Sequence, residues 1–128
     1  MPTYAFLMYG DETGWADQPP GEWDTGPHER FAEQVAAAGA RIVGGRALLP
    51  SSTATTVRSV PGEAPLITDG PFVEAREALG GFYLVEADDL DDALRLAALV
   101  PEDAVEVRPV AELGDVANRG VDGSVERR

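Results

Sequence analysis

Few side chains in this chain can move a proton near neutral pH. His28 is the only histidine, and there is no cysteine. Acid–base work therefore falls to one imidazole and whichever carboxylates stand near it. His28 precedes Phe31 and Val35 at helical spacing, so it shares the apolar stripe of a helix expected from Pro27 to Ala38, and its ring should face a sheet. The second candidate is Asp69, in Thr68-Asp69-Gly70-Pro71-Phe72-Val73-Glu74-Ala75-Arg76-Glu77. In an Asp-Gly-Pro turn the aspartate can bond its own backbone, the glycine can take positive φ, and the proline fixes φ near −65°. Asp69 then either pairs with His28 as acid–base partner or accepts backbone N–H bonds that hold the turn. Glu74, Arg76 and Glu77 crowd behind it, as a fork for a polar ligand or as surface ion pairs. Tyr9, Arg46, Phe72 and Glu74 are expected to join His28 and Asp69 in lining a cleft.

Composition removes several chemistries. All ten basic residues are arginine, so no lysine can form a Schiff base. Without cysteine there is no thiolate nucleophile, disulfide framework or thiolate-bound metal. Asp88, Asp89, Asp91 and Asp92 fall where a helix begins, and there the helix dipole and capping account for them without a metal. No Gly-x-Ser-x-Gly elbow and no phosphate-cradling glycine loop is present. Neither a metal nor an organic cofactor is expected. A net charge of −13 repels phosphate backbones, which argues against a nucleic-acid partner. No apolar run reaches the ~18 residues of a membrane span, and the N-terminus lacks a basic leader. The expected location is cytoplasmic.

The elements that must position these residues read as follows. Thr3 to Tyr9 alternates, with Tyr4, Phe6 and Met8 on one face and Ala5, Leu7 and Tyr9 on the other, both largely apolar. Gly10 to Gly26 is a long polar loop carrying Trp15 and Trp23. Thr25 can cap the helix that follows, and Gly39 can end it. Arg41 to Leu49 is a strand whose Gly44-Gly45 marks a bulge or a close backbone approach. Thr53 to Val60 and Ala64 to Thr68 form a hairpin around Pro61-Gly62. Gly81 to Ala87 is a strand. A helix capped by Asp88 or Asp89 follows, with the stripe Leu90, Ala93, Leu94 and Ala97. A last strand runs from Ala104 to Val110. The order is β-α-β, hairpin, β-α-β: an α+β, ferredoxin-like split βαβ with an inserted hairpin. Residues 1–110 form that one domain, and 111–128 a partly flexible C-terminal arm.

Several segments together resemble one family. They are Tyr9-Gly10-Asp11-Glu12, Ala38-Gly39-Ala40, Gly45-Arg46-Ala47-Leu48, Thr55-Thr56-Val57-Arg58, the Asp69 turn, Gly81-Phe82-Tyr83 and Val105-Glu106-Val107-Arg108-Pro109. The chain resembles the YCII-related (YciI-like) proteins, in their DGPF branch. That resemblance implies a dimeric α/β barrel, in which two four-stranded sheets face each other. It implies a catalytic role for a histidine at the start of the first helix, a position held here by His28. It also implies a family aspartate working with that histidine, for which Ala36-Ala37-Ala38 offers no counterpart before Gly39. Relatives are often encoded near alternative sigma factors, which implies a possible protein partner in such a system, and some carry out dehydrochlorination.

The leading expectation is a homodimer that binds a small polar or aromatic molecule in a cleft, as a regulatory or sensing module. The competing expectation is an acid–base enzyme, lyase-like or isomerase-like, using His28 and Asp69.

Overall fold

The computed structural model describes residues 1–113, and the remainder of the expected C-terminal arm lies outside them. In chain order the elements are β1 (Thr3–Asp11), α1 (Gly26–Ala37), β2 (Arg41–Ala47), β3 (Thr55–Arg58), β4 (Leu66–Asp69), β5 (Glu77–Glu86), α2 (Leu90–Ala97) and β6 (Ala104–Pro109). Strands β2-β5-β1-β6 make one antiparallel sheet, while β3 and β4 pair separately as a hairpin. This α+β arrangement is compatible with the ferredoxin-like order read from the sequence. Among the described residues no helix is long and apolar enough to cross a membrane.

Alternation along β1 decides where the core forms. Tyr4, Phe6 and Met8 are buried, and they meet Phe31 and Val35 of α1, Val85 of β5, and Ala93 and Leu96 of α2 in one cluster. Both helices therefore cover the same face of the sheet. Ala5, Leu7, Phe82 and Leu84 belong to the opposite face and are only half-buried. Of the expected α2 stripe, Ala93 is buried and Ala97 packs partly buried against the core, but Leu90 and Leu94 are nearly half exposed and Leu96 is buried instead. The sheet covers only one arc of so short a helix; Ala93, Leu96 and Ala97 lie towards it, and Val100 is buried just past the helix end.

Helix ends follow local chemistry. The Asp89 carboxylate accepts the Asp92 N–H at 2.8 Å and caps α2. At α1 the sequence favoured Thr25, but its side chain makes no capping bond, and Asp24 accepts the Gly26 N–H instead, at 3.0 Å. Gly39 takes φ +81, its N–H bonds the Ala36 carbonyl, and the Ala40 N–H reaches back to Val35. Those two bonds satisfy carbonyls the helix leaves open and turn the chain into β2.

Glycine also sets how closely strands approach. A Cβ on Gly81 would stand 2.8 Å from the Arg46 carbonyl oxygen, and one on Gly45 2.8 Å from that of Phe82. The β2–β5 seam therefore depends on two missing side chains. Gly81→Ala is expected to destabilise the fold by about 1–3 kcal/mol. Gly21→Ala, where nothing lies within 4 Å, should stay within about 0.5 kcal/mol of wild type. Urea melts comparing the two variants measure this, and equal midpoints would show that the seam yields without cost.

Candidate functional site

The site begins with an irregularity between β1 and β5. Met8 pairs with Gly81 and Tyr9 with Leu79, which leaves Gly80 as an extra residue in β5. Such a bulge bends the strand and interrupts its ladder. The Gly80 carbonyl is taken up by the Leu48 N–H at 2.9 Å. Trp15 lies against the bare Gly80 backbone, its Cζ2 being 3.8 Å from where a Cβ would sit. Trp15 and Trp23 meet edge to face at 5.0 Å, and the Trp23 indole N–H donates to the Gln18 carbonyl. The long loop is thus folded down onto the end of the sheet. Its base is tied across the fold: the Glu12 carboxylate accepts the backbone N–H of Ser51 at 2.7 Å and the Ser51 hydroxyl as well.

Two clefts flank the C-terminal end of β1. One, of about 390 Å³, lies where Met8, Gly10, Trp15, Ala78 and Gly80 meet the α2–β6 connection at Val100–Asp103. The other, of about 790 Å³, is more open and is bordered by Tyr9, Arg76, Glu77 and Glu106. Asp11 and Asp103 edge both. Asp103 accepts the Asp11 N–H at 3.3 Å. The Asp11 carboxyl is held below the ordinary carboxylate range, chiefly by the Thr13 backbone N–H at 2.9 Å, then by the Thr13 hydroxyl and the Arg76 guanidinium.

Behind the smaller cleft stands a chain of three polar side chains. His28 Nδ1 is 2.7 Å from the Tyr83 hydroxyl, and His28 Nε2 is 2.6 Å from Glu102 Oε2. The rings of Phe31 and Tyr83 lie 5.2 Å apart, fixing the phenol against α1. The hydrogen-bond network assigns the tautomer. In a neutral ring the phenol donates to Nδ1 and Nε2–H donates to Glu102. Adding a proton at Nδ1 reverses the phenol bond and leaves the Glu102 contact in place. Glu102 faces the cleft, so His28 holds and orients the carboxylate from behind. The arrangement can bind a hydrogen-bond donor at Glu102 and can exchange a proton there.

The six residues expected to share a cleft are dispersed. Among the described residues, no hydrogen bond or ion pair joins any two of them. The carboxylate that meets His28 is Glu102, not Asp69. Asp69 ends β4 opposite Thr55, exposed on a hairpin outside the four-stranded sheet. That turn is held by Gly70, with φ +98: its N–H donates to the Ala54 carbonyl and its carbonyl accepts the Thr56 hydroxyl, both at 2.8 Å. Phe72 lies beneath the Arg58 guanidinium at 4.6 Å, and Glu74 is exposed nearby. The Arg46 Nη1 donates to the Gly45 carbonyl at the β2 edge. Tyr9 borders the larger cleft and donates to Glu106 at 3.4 Å. Sequence reasoning missed Glu102 and Tyr83 as site residues. Tyr83 ends the segment Gly81-Phe82-Tyr83, whereas Glu102 follows the second helix with no signal beyond Pro101-Glu102-Asp103.

The chain is similar to known proteins along most of its length. A family model described as the YCII-related domain matches residues 4–114. An uncharacterized protein of Rhizobium meliloti (strain 1021) is 34% identical over 119 residues, covering 84% of this chain and 91% of that protein.

The Tyr83 phenol is pushed above its ordinary value, first by burial and then by the Glu102 charge. Ultraviolet titration of wild type against Tyr83→Phe should show one phenol ionising later than free tyrosine, and Glu102→Gln should move that step down. The sign for stability follows. The unfolded chain loses this proton first as pH rises, so the contribution is complete below the unfolded value near 10 and is lost above it. Ionisation at or below the ordinary tyrosine value would show the ring to be solvated.

Proposed function

The chain belongs to the YCII-related domain family, and from that membership we propose that it is a small-molecule-binding domain whose ligand occupies the cleft between Trp15 and Glu102. The observation that carries this reading is Glu102 itself. Its carboxylate edges a cleft of about 390 Å³ and is held from behind by His28 at 2.6 Å. A surface carboxylate pays side-chain entropy to hold one geometry; one already fixed offers a ligand an oriented acceptor. The apolar wall of Met8, Trp15 and Val100 suits the body of a polar or aromatic molecule, and the carboxylate its polar end. Absence of cysteine fits a cytoplasmic module that senses such a molecule.

One observation favours a second reading, in which the module turns its ligand over. The Tyr83–His28–Glu102 chain can relay a proton between cleft and sheet, as an acid–base lyase or isomerase requires. In that reading the catalytic pair is His28 with Glu102, and Asp69 takes no part.

A thermal-shift screen of polar and aromatic metabolites tests the cleft. A ligand at about 100 Kd adds ~2.7 kcal/mol, and the shift should shrink in Trp15→Ala and Glu102→Gln. Protection left unchanged by both variants, or none across the library, would overturn the assignment. In an enzyme Glu102→Gln should abolish turnover of any protecting compound that wild type consumes, whereas in a sensor it should alter affinity alone.

We propose that the protein works as a homodimer, joined through the sheet face opposite the helices. Leu7, Phe82 and Leu84 make the middle of that face apolar and half-buried, flanked by Glu106 and Arg108 of β6, and among the described residues no helix packs on it. An apolar sheet face of this kind is normally covered. Sedimentation should give twice the chain mass at micromolar concentration, and Leu84→Glu should shift it towards the single chain. A wild-type monomer at low salt would remove this proposal.

A further inference from the structure

The smaller cleft has a chemical bias that narrows its ligand. Three of its bordering side chains, Asp11, Glu102 and Asp103, are carboxylic acids, and none of the described residues lining it is basic. Asp11 is held in its charged form by the Thr13 N–H. The other walls are apolar or bare: the indole of Trp15, the side chains of Met8, Val100 and Pro101, and the backbones of Gly10 and Gly80. Gly10 matters most to the shape. A Cβ there would lie 3.3 Å from Asp103 Oδ2, close enough to press that carboxylate aside, and 3.9 Å from Glu102 Oε1, so the glycine lets both acids stand close over bare strand backbone. The space so formed has acceptors at one end and an aromatic wall beside it, and Arg76, which borders the neighbouring cleft, is already paired with Asp11 at 3.8 Å.

We infer that this cleft takes a small organic cation, an ammonium or amidinium carried on a flat apolar or aromatic body. The inference rests on the binding reading above. The charged end meets Glu102 and Asp103, and the body lies along Trp15, where an indole attracts both an apolar surface and a nearby cation. Organic acids and phosphate esters are disfavoured, because they would stand against three carboxylates, with no arginine among the described residues that line the cleft and Arg76 already paired with Asp11. His28 sharpens the choice. By occupying one oxygen of Glu102 from behind, it leaves the other oxygen as an acceptor and fixes its direction.

Calorimetry with three probes that share a phenyl ring tests this: 2-phenylethylammonium, 2-phenylethanol and phenylacetate. The ammonium is expected to bind at least tenfold more tightly than the acid, with the alcohol between them. Glu102→Gln and Gly10→Ala should each weaken the ammonium at least fivefold. Asp91→Asn, on the exposed side of α2, should leave it unchanged and so separate the cleft from general attraction to an acidic surface. Phenylacetate binding as tightly as the ammonium would overturn the inference, as would equal loss in Asp91→Asn. If none of the three binds while a screened compound still protects the cleft, the cation assignment falls and the binding reading survives. If no compound of any class protects the cleft, both fall.

Discussion

The arrangement depends on one surplus residue in β5. Side chains alternate along a strand, so one extra residue reverses which face every residue beyond it would occupy. With Gly80 taken out of the ladder, Tyr9 stands opposite Leu79 and Gly10 opposite Ala78. In an unbroken register Leu79 would pair with Gly10 and fill the space against the α2–β6 connection. The bulge keeps the large side chain on the open face and gives the cleft two small neighbours, Ala78 and Gly80. It also bares the backbone on which Trp15 rests. The cavity is therefore a consequence of register, as much as of the residues that line it.

Electrostatics works within that frame. The protein carries an excess of acid, and around the end of β1 the excess is organised: Asp11 takes the Thr13 N–H, Asp103 takes the Asp11 N–H, and Glu102 is held by His28. Each acid has a partner that fixes its direction, and only one of those partners is a titratable ring. The same ring touches a phenol packed on Phe31, so the charge state at the cleft is connected to the face of the sheet that carries the core. Exposure of roughly a third at both His28 and Glu102 leaves that pair open to screening by salt.

Much of the fold was legible because its signals are local. Alternation in β1, the Gly39 stop, the Asp89 cap and the hairpin around Pro61-Gly62 each depend on neighbouring residues, and each was found near its expected place. The site was less legible, because its contacts join distant segments. His28 was marked correctly as facing the sheet, yet its carboxylate comes from the connection after α2, and nothing in the sequence ranks that acid above the others. Asp69 drew attention through its turn chemistry, but the hairpin that holds it pairs with itself and not with the main sheet. Leu90 and Leu94 misled for a geometric reason: periodicity marks a stripe, while the sheet decides how wide an arc it covers.

The bond between Glu12 and Ser51 makes two surface segments a single mechanical unit. Glu12 opens the loop that carries Trp15, and Ser51 begins the short turn leading into the hairpin. Lifting the indole off Gly80 pulls on that carboxylate, and losing the carboxylate strips the Ser51 N–H of its acceptor. The loop and the root of the hairpin should therefore open as one cooperative step, exchanging their amide hydrogens together while the four-stranded sheet stays closed. The aromatic wall of the cleft then has a latch outside the cleft itself, made by two residues that do not line it.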